Sequence, residues 1–418
     1  MARHPRHALA ARIITRLDQL AGITSVEGEI SRFFLTREHK SAIGLISGWM
    51  VDSGLAVEVD AAGTLIGRKE GTVRGAKTLV FGSHIDTVRN AGRYDGCLGV
   101  VMAIEAMAEL KRLGIDLPYT VDVVAFGGEE ASRFPGTLIG SRALAGGLLP
   151  EVLDGADSEG VTLRQALIEF GCDPEMIPTS ARAAADLLGY VEVHIEQGPV
   201  LDGEGVGVGV VTMINGVSRF AVEVRGKAGH AGTLPMQARR DALTGAAEML
   251  LAIEDVARST AGLLATVGKF STKPGSMSTI ADQVDFWVDF RSSVDGVRRG
   301  GGREIDKRLR AIARLRRLNF KSTEMVNEKA VACDQRLIRH LSSAAERVGV
   351  PWIGLPSGAG HDGLAMSRLC PVGMLFVRCK GGISHQPEES VKVEDIEAAI
   401  RVLLEFLSKF SPNGRTLS

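Results

Sequence analysis

The chain has 418 residues, which is too many for one ordinary hydrophobic core and predicts two domains. Hydrophobic residues make up 45% of the chain and charged residues 24%, a composition that excludes an intrinsically disordered protein. The 49 lysines and arginines nearly balance the 50 aspartates and glutamates, so the net charge of −1 gives no reason to expect a nucleic acid or an anionic membrane as partner.

The N-terminus and the cysteines bear on the cellular compartment. Residues 1–17 contain arginines and no acid, as transit peptides do, but a short helix with a basic face explains the same pattern. No apolar run approaches the roughly 18–20 residues that span a bilayer. Five cysteines are scattered along the chain without a C-x-x-C pair, which favours reduced thiols over a disulfide framework. We therefore expect a cytoplasmic protein.

Apolar runs that end in glycine alternate with helix-like stretches in the first and last parts of the chain. This alternation is typical of an α/β fold in which helices cover both faces of a mostly parallel sheet. We assign residues 1–214 and 330–418 to this domain. The apolar runs occupy 79–84, 123–130 and 375–385, and the helix-like stretches occupy 99–113 and 394–407.

Residues 215–329 show a different pattern, in which strands and helices follow one another in the order β-α-β-β-α-β. That order is typical of the ferredoxin-like α+β fold. We predict a compact domain inserted into the first one, to which the chain returns near Ala330. The predicted strands cover 219–226, 263–270, 284–292 and 318–326, and the predicted helices cover 236–257 and 303–317.

Within the inserted domain, residues 298–321 carry ten lysines or arginines and only two acids. A nucleic-acid surface is one interpretation of this cluster. The other is the solvated face of an amphipathic helix whose apolar side uses Ile305, Leu309 and Ile312. We favour the second interpretation, because aromatic side chains for base stacking do not alternate with the charges.

Histidines and acids recur where the apolar strands end. A single such histidine is more typical of a structural residue, but four of the five histidine motifs directly follow an apolar strand, and open parallel sheets bind their ligands at the carboxyl ends of the strands. Imidazole and carboxylate groups without a thiolate are typical of a catalytic metal site. Two divalent ions would need about five or six protein ligands, one of which bridges them. The residues are His84, Asp86, Asp95, Glu129, Glu130, His194, Glu196, His230, His361, Asp362 and His385.

Three of these positions suggest specific roles. Asp95 lies in a glycine-flanked turn and has two oxygens, so it is the natural bridge between two ions. Glu129 and Glu130 are neighbours that point in different directions, so one can bind metal while the other acts as a base. Asp86 is placed to accept the N–H of the His84 imidazole. The chain lacks the G-x-S-x-G elbow of serine hydrolases and the glycine-rich loops that bind nucleotides.

Six motifs that contain these residues resemble one known family of enzymes. They occur in that family's order and with similar spacing, over almost the whole chain. The resemblance is to the binuclear metal-dependent amidohydrolases of the metallopeptidase-like superfamily, and more closely to the hydantoinase/carbamoylase type, which includes N-carbamoyl-L-amino acid hydrolase, allantoate amidohydrolase and β-ureidopropionase. The motifs are GSHIDTVRNAGRYDGCLGV (82–100), GGEEASRFPGTLIGSRALAG (127–146), HIEQGPVLD (194–202), GHAGTLPM (229–236), SGAGHDG (357–363) and GGISHQPEE (381–389).

The resemblance implies two divalent metal ions, zinc or else manganese, cobalt or nickel, with Glu129 as the general base. The histidine at position 194 favours the carbamoylase type, since peptidase and aminoacylase relatives usually have an acid there. The family also implies that the inserted domain is a lid and forms the interface of a homodimer. The implied ligands are His84, Asp95 and His194 for one ion, and Asp95, Glu130 and His385 for the other.

The resemblance also implies which residues contact the substrate. Arg291 matches an arginine that binds the substrate carboxylate, and His230, alone or with His361, would stabilise the oxyanion. Ser278 stands where the family usually has an asparagine that helps to hold the carboxylate, so this departure bears on substrate identity. The implied substrate contacts are Gln197, His230, Ser278, Arg291, Gly360 and His361.

We therefore expect metal-dependent hydrolysis of a linear, non-peptide C–N bond, most simply of an N-carbamoyl-L-amino acid to the amino acid, carbon dioxide and ammonia. The ions would polarise the ureido carbonyl and lower the pKa of a water, whose proton Glu129 would pass to the leaving nitrogen. Allantoate, which also carries a carboxylate, is the nearest alternative substrate, and an aminoacylase or dipeptidase is the third possibility. A metal-free binding protein is the alternative of another class, although a binding protein would not need Glu129.

Overall fold

The computed structural model describes residues 5–411; residues 1–4, with which the predicted basic N-terminal helix would begin, and residues 412–418 lie outside the described part. The chain divides into two compact units. Unit 1 comprises the residues up to Thr212 and those from Ala332 onwards, and unit 2 is Met213–Val331. The predicted boundaries, after residues 214 and 329, lie within two residues of these. Where the chain re-enters unit 1, Cys333 N–H donates to the carbonyl oxygen of Thr212 at 3.0 Å.

Helices and strands alternate along both units. The α-helices of the described residues are α1 (Pro5–Ala21), α2 (Arg37–Asp52), α3 (Cys97–Leu113), α4 (Ile139–Leu144), α5 (Leu163–Phe170), α6 (Ile177–Ser180), α7 (Val200–Gly203), α8 (Ala242–Ser259), α9 (Asp295–Leu315), α10 (Gln335–Arg347), α11 (Asp362–Met366) and α12 (Val393–Lys409). The strands are β1 (Ala56–Val59), β2 (Leu65–Lys69), β3 (Thr78–His84), β4 (Thr120–Phe126), β5 (Leu187–Ile195), β6 (Val208–Ile214), β7 (Gly216–Arg225), β8 (Gly229–His230), β9 (Leu264–Lys273), β10 (Thr279–Ile280), β11 (Gln283–Ser292), β12 (Asn319–Glu328), β13 (Val331–Ala332), β14 (Trp352–Ser357) and β15 (Val372–Val377).

The main sheet has the strand order β1-β2-β4-β3-β5-β15-β6-β13, and β14 also pairs with β6. The four central strands, β4, β3, β5 and β15, run parallel, while β1, β2 and β6 pair antiparallel with their neighbours. Every residue of the four central strands is buried, as expected for a parallel sheet that is covered on both sides.

Strand β5 shows how the two faces of this sheet are covered. Val191, Val193 and Ile195 belong to the hydrophobic core that also contains the buried side of α3. Glu192, which alternates with them, accepts a hydrogen bond from the N–H of Gly363 in α11 at 3.0 Å. Helices therefore lie on both faces, and the predicted α/β class is confirmed.

Unit 2 contains a four-stranded antiparallel sheet with the order β12-β7-β11-β9, and α8 and α9 pack on one face of it. This is the β-α-β-β-α-β arrangement that the sequence predicted, with two differences in the helices. The second helix begins at Asp295 rather than at residue 303, because packing on the sheet outweighs the low helix propensity of Gly300–Gly302. The first begins at Ala242 rather than at 236, because the Asp241 carboxylate caps its first N–H groups.

The basic stretch of α9 is paired with acids of the same unit. Arg308 contacts Asp255, and Arg310 donates to Asp306 at 2.7 Å. On the opposite side of the helix, Ile305 and Leu309 are buried in the core of unit 2. This arrangement matches the solvated face of an amphipathic helix. No helix between residues 5 and 411 is both long enough and apolar enough to cross a bilayer.

Candidate metal centre

Two buried histidines mark the carboxyl ends of neighbouring parallel strands. His84 is the last residue of β3, and His194 lies next to the end of β5. Their Nδ1 atoms lie 3.0 Å from the carbonyl oxygen of Asp86 and 2.9 Å from that of Ile195, respectively. Because a carbonyl oxygen only accepts hydrogen bonds, Nδ1 is the donor in both rings, and in the neutral imidazole Nε2 presents a lone pair. The two Nε2 atoms are 3.5 Å apart, so both lone pairs face the same small space.

Asp95, in the loop before α3, faces both of these imidazoles. Its Oδ1 lies 3.2 Å from Nε2 of His194 and 3.8 Å from Nε2 of His84. The next residue, Gly96, has φ of 64° and its N–H donates to His194 Nε2 at 3.2 Å. A Cβ at this position would lie 2.5 Å from atoms of the His84 ring, so no larger residue fits.

The other oxygen of Asp95 faces a second group of ligands. Oδ2 lies 3.0 Å from Nε2 of His385, and that nitrogen lies 3.6 Å from Oε1 of Glu130. Ligand atoms of Asp95, Glu130 and His385 lie within 4.8 Å of one another, as do those of His84, Asp95 and His194. The two groups share Asp95 through different oxygens, which is how a carboxylate bridges two cations.

The chemistry of these groups fits divalent cations. Asp95 Oδ2 and Glu130 Oε1 are buried and make no well-formed hydrogen bond within the described chain, and His385 Nε2 lies 3.0 Å from the first and 3.6 Å from the second. A buried oxygen without a partner is unfavourable, because it has lost its contacts with water. A cation would compensate both oxygens, and imidazole with carboxylate and no thiolate suits catalytic zinc and related ions.

The pKa values reflect the concentration of negative charge. Burial, followed by repulsion from Asp95, raises the pKa of Glu130 to about 10. Burial, followed by repulsion from Glu130, also raises the pKa of Glu129 well above its usual range. Burial lowers the pKa of His194, but its contact with Asp95 outweighs burial and raises that pKa to about 9. Divalent cations at this place would relieve the repulsion among the acids.

Asp86 has a different partner from the predicted one. Its Oδ1 lies 3.8 Å from His84 Nδ1, and that nitrogen is hydrogen-bonded to the backbone carbonyl oxygen of Asp86 rather than to the carboxylate. The carboxylate oxygens instead accept the N–H groups of Glu129 and Glu130, each at 3.3 Å. The side chain points to the end of β4, where these two backbone donors lie, so Asp86 orients the glutamate pair.

Gln197 contacts the shared carboxylate. It follows β5 with φ of 55°, an uncommon backbone conformation for a residue with a side chain. Its Nε2 donates to Asp95 Oδ1 and to Ser384 Oγ, both at 3.1 Å, and lies 3.2 Å from His385 Nε2. The side chain thus touches candidate ligands of both groups, and Gln197 is itself one of the residues for which the resemblance implied a substrate contact.

His361, at the N-cap of α11, packs against His194 with 4.5 Å between the ring centroids. It is buried, and its Nε2 lies 2.8 Å from Ser357 Oγ. Gly360, just before it, is exposed. The predicted substrate contact His361 therefore lies next to the first ligand group.

The remaining predicted substrate residues belong to unit 2. His230 in β8 and Ser278 just before β10 are neighbours across a two-stranded ladder, in which Ala231 N–H donates to the Ser278 carbonyl oxygen at 2.9 Å. Arg291 lies in β11, where its Nε donates to Asp289 Oδ1 at 2.8 Å and its Nη2 to Oδ2 at 3.2 Å. The predicted carboxylate-binding arginine is thus already bound to an acid of its own strand.

Two buried carboxylates beside the candidate ligands had no role in the sequence analysis. Glu192 accepts hydrogen bonds from Ser83 Oγ at 2.9 Å and from Gly363 N–H at 3.0 Å. Because it lies two residues before His194, strand periodicity places both on one face, and this signal could have found it. Glu389 accepts the N–H groups of the Tyr94–Asp95 loop. The sequence analysis identified its motif, GGISHQPEE, but the sequence does not show which of the two glutamates in it points inwards.

A sequence profile of peptidase family M20/M25/M40 matches residues 80–409, a range that contains both candidate ligand groups. The chain belongs to this family. One curated relative is the N-carbamoyl-L-amino acid amidohydrolase of Geobacillus stearothermophilus. It is 39% identical over 394 residues, which cover 94% of this chain and 96% of the relative. Allantoate deiminase of Arabidopsis thaliana is 39% identical over 439 residues, which cover 97% of this chain and 83% of the relative.

A solved structure also matches along the whole length. The hydantoinase/carbamoylase family amidase from Burkholderia multivorans has a TM-score of 0.86 and 33% sequence identity, and the match covers 95% of this chain and 97% of that one. The resemblance inferred from the six motifs is thereby confirmed, and so is the predicted class of enzyme, an amidohydrolase.

Proposed function

We propose that this M20/M25/M40 chain hydrolyses N-carbamoyl-L-amino acids to the L-amino acid, carbon dioxide and ammonia, with two divalent metal ions. One observation carries the proposal: the two oxygens of Asp95 face two different groups of ligands, at 3.2 Å from His194 and 3.0 Å from His385. The curated N-carbamoyl-L-amino acid amidohydrolases among its relatives support the choice of substrate.

In this proposal, the ligands would be His84, Asp95 and His194 for one ion, and Asp95, Glu130 and His385 for the other. When bound, the ions would polarise the substrate carbonyl and lower the pKa of a water towards neutrality. The hydrogen bonds from Nδ1 to backbone carbonyls keep the Nε2 atoms of His84 and His194 available as ligands. Zinc suits such a set, and manganese, cobalt and nickel suit it too.

Glu129 would move the proton. Its carboxylate lies within 4.8 Å of the ligand atoms of His84 and Glu130, and Asp86 holds its backbone N–H. Burial and the neighbouring Glu130 raise its pKa well above the usual range. Glu129 therefore accepts a proton from the attacking water and donates it to the departing nitrogen.

Substrate binding would involve residues of both units. The planar guanidinium of Arg291 would hold the substrate carboxylate with two parallel hydrogen bonds, assisted by Ser278, and His230 would stabilise the oxyanion. Unit 2 would also serve as a lid and as the interface of a homodimer, and the protein would be cytoplasmic. The contacts from unit 1 would come from Gln197, Gly360 and His361.

A second candidate substrate is allantoate. The observation in its favour is the 39% identity to the Arabidopsis thaliana allantoate deiminase, which equals the identity to the Geobacillus stearothermophilus enzyme. The same ligands, base and arginine would serve both substrates, because both carry a carboxylate beside a ureido group. Ser278, in place of the asparagine usual in the family, is the residue most directly concerned with this choice.

The test is ammonia release by metal-stripped protein to which zinc, manganese, cobalt or nickel is returned one at a time. Substrates are a series of N-carbamoyl-L-amino acids, allantoate and N-acetyl amino acids, the last of which can release no ammonia and are followed by amino acid formation. We expect the highest kcat/KM with an N-carbamoyl-L-amino acid. Preference for allantoate would establish the second candidate, and preference for N-acetyl amino acids would refute both.

A further inference from the structure

Glu389 is a buried carboxylate that connects two loops of unit 1. Its side chain is only 4% exposed, and it belongs to neither candidate ligand group. Oε1 accepts the backbone N–H groups of Tyr94 at 2.8 Å and of Asp95 at 3.2 Å. Oε2 accepts the hydroxyl of Ser384 at 2.9 Å. One side chain thus holds the backbone of the shared ligand Asp95 and the neighbour of the ligand His385.

The chain leaves room for this carboxylate at Gly92. A Cβ at position 92 would lie 2.2 Å from both Cδ and Oε1 of Glu389, a distance that no real contact allows. An alanine there would therefore push the carboxylate away from Tyr94 and Asp95. Gly92 and Glu389 consequently form a matched pair, in which a change at either position disturbs the same three hydrogen bonds.

We infer that Glu389 is a positioning residue for the second cation group, formed by Asp95, Glu130 and His385. The inference rests on the proposed function, because it concerns the ions that the proposal places there. Asp95 Oδ2 and His385 Nε2 come from two separate loops and lie 3.0 Å apart. Glu389 bonds to both loops and to no ligand atom, so it sets the distance between the two ligands without binding the ion itself.

The test measures zinc binding by the metal-stripped, full-length chain, in competition with a chromophoric chelator, without any substrate. The wild-type chain is expected to bind two ions. In Glu389→Ala, the affinity of one of the two sites should fall about 10- to 100-fold, the usual effect of losing a group that orients a ligand, while the other site should stay within about threefold. Glu388→Ala is the matched control, because its side chain is exposed beside Glu389, and it should bind like the wild type.

Two further variants separate positioning from charge and from general destabilisation. Glu389→Gln keeps an oxygen for the two backbone N–H groups and can donate to Ser384, so both affinities should stay within about threefold of the wild type. Gly92→Ala should weaken the same site as Glu389→Ala does.

The outcomes distinguish the inference from the proposed function. If the wild-type chain binds two zinc ions and Glu389→Ala binds them equally well, the positioning role is refuted alone. It is also refuted if the zinc affinity of Glu389→Gln falls as far as that of Glu389→Ala, which would make charge the cause. A third refuting result is that Glu389→Ala weakens both sites equally and also lowers the melting temperature, which would indicate a general structural role. A wild-type chain that binds no zinc and shows no activity with any of the four metals refutes the proposed function itself.

Discussion

Glu129 and Glu130 are adjacent in sequence but have different neighbours in space. Glu130 shares a group with Asp95 and His385 to which Glu129 does not belong, and both glutamates lie near His84. Glu129→Gln keeps the shape of the side chain but cannot take up a proton. We expect it to bind two metal ions and to lose on the order of 10²- to 10⁴-fold in kcat, the usual contribution of a positioned general base. Metal content and kcat measured on the same preparation check this prediction.

The matched variant is Glu130→Gln, which changes the neighbouring carboxylate in the same way. It should lose one of the two metal ions, because the amide is a poorer ligand than the carboxylate at that position. If Glu129→Gln loses metal and Glu130→Gln retains both ions, the two roles are the reverse of those proposed.

Arg291 is expected to decide affinity for the substrate carboxylate. It already donates two hydrogen bonds to Asp289. Burial raises the pKa of Asp289, but Arg291 and Arg219 outweigh burial, so the pKa lies below its usual value. Arg291→Lys keeps the charge but not the planar fork, so KM should rise. Arg291→Ala should lower kcat/KM by a factor that corresponds to about 2–5 kcal/mol of transition-state stabilisation, the scale for truncating one partner of a buried charge pair. Steady-state kinetics with an N-carbamoyl-L-amino acid test both variants.

Two controls belong to this measurement. Arg219→Ala removes the other arginine that bonds Asp289, and it should leave KM almost unchanged. A substrate whose carboxylate is replaced by an amide should react poorly with the wild type, and Arg291→Ala should cause little further loss. Unchanged kinetics of both Arg291 variants with the carboxylate substrate would place the carboxylate at another residue.

At the scale of residues, the sequence predicted which side chains meet but not all of their partners. The parallel strands carry His84 and His194 to one edge of the sheet, and strand order alone implies this. The carboxylate of Asp86 is a counterexample, since it bonds the N–H groups of the glutamate pair and not His84. The direction of the Asp86 side chain depends on the conformation of the loop after β3, and a periodic sequence pattern does not predict the conformation of a loop.

At the scale of elements, two turns of the chain have the same pattern of hydrogen bonds to an aspartate, but the pKa values of the two aspartates shift in opposite directions. Asp60, between β1 and β2, accepts the N–H groups of Ala62 and Thr64. Asp157, before α5, accepts those of Glu159 and Val161 in the same way. Burial raises the pKa of Asp60 to about 6, whereas at Asp157 the effect of burial is outweighed by the hydrogen bond from Arg133, which lowers the pKa.

Asp60→Asn should therefore stabilise the protein above pH 6. Between about pH 4 and 6 the folded state keeps a proton that the unfolded state has released, so the contribution of Asp60 to the free energy of unfolding falls as pH rises through this window. Asparagine keeps an oxygen for the turn and carries no charge. We expect the variant to match the wild type near pH 4 and to exceed it by about 1–3 kcal/mol at pH 8 in denaturant unfolding.

Asp157→Asn is the matched control for this prediction. It preserves the same turn but removes the ion pair with Arg133, so it should be less stable than the wild type at pH 8, and the difference should shrink as the aspartate is protonated in acid. Equal responses of the two variants to pH would mean that burial does not penalise the charge of Asp60.

The order of elements in unit 2 followed from sequence patterns, but the helix ends did not. Met236–Ala238 form a single 3-10 turn, and α8 begins only after Asp241, whose side chain caps it. In α9, three glycines argue against a helix, and the contacts with the sheet override them. Local propensity decided neither end, because capping and tertiary packing are stronger than propensity over a few residues.

At the scale of the whole molecule, metal removal should abolish activity and lower stability together. Ions that bind only the folded chain stabilise it, so dialysis against a chelator should lower the melting temperature, and returning zinc should restore it. His84→Ala and His385→Ala should each lose one ion, whereas Asp95→Ala should lose both, because Asp95 belongs to both groups. Metal analysis of the three variants tests this; full activity of the stripped protein would contradict it.

The division into two units was visible in the sequence as a change of pattern. Apolar runs that end in glycine give way at residue 215 to the β-α-β-β-α-β order. The predicted boundaries lie close to those of the structure because each unit has its own hydrophobic core. The placement of Arg291 beside Asp289 was predictable in part, since residues two apart on a strand share a face. Their mutual hydrogen bonds were not, because a surface arginine has many rotamers.

The hydrogen bond between Cys333 and Thr212 has a consequence for how such a chain can arise and be rebuilt. The two ends of unit 2 leave unit 1 at adjacent backbone positions, 3.0 Å apart from nitrogen to oxygen. A turn of a few residues could therefore join Thr212 directly to Cys333, with the loss of the end of β6 and of β13. A shortened gene encoding such a chain would retain the candidate ligands His84, Asp95 and His194.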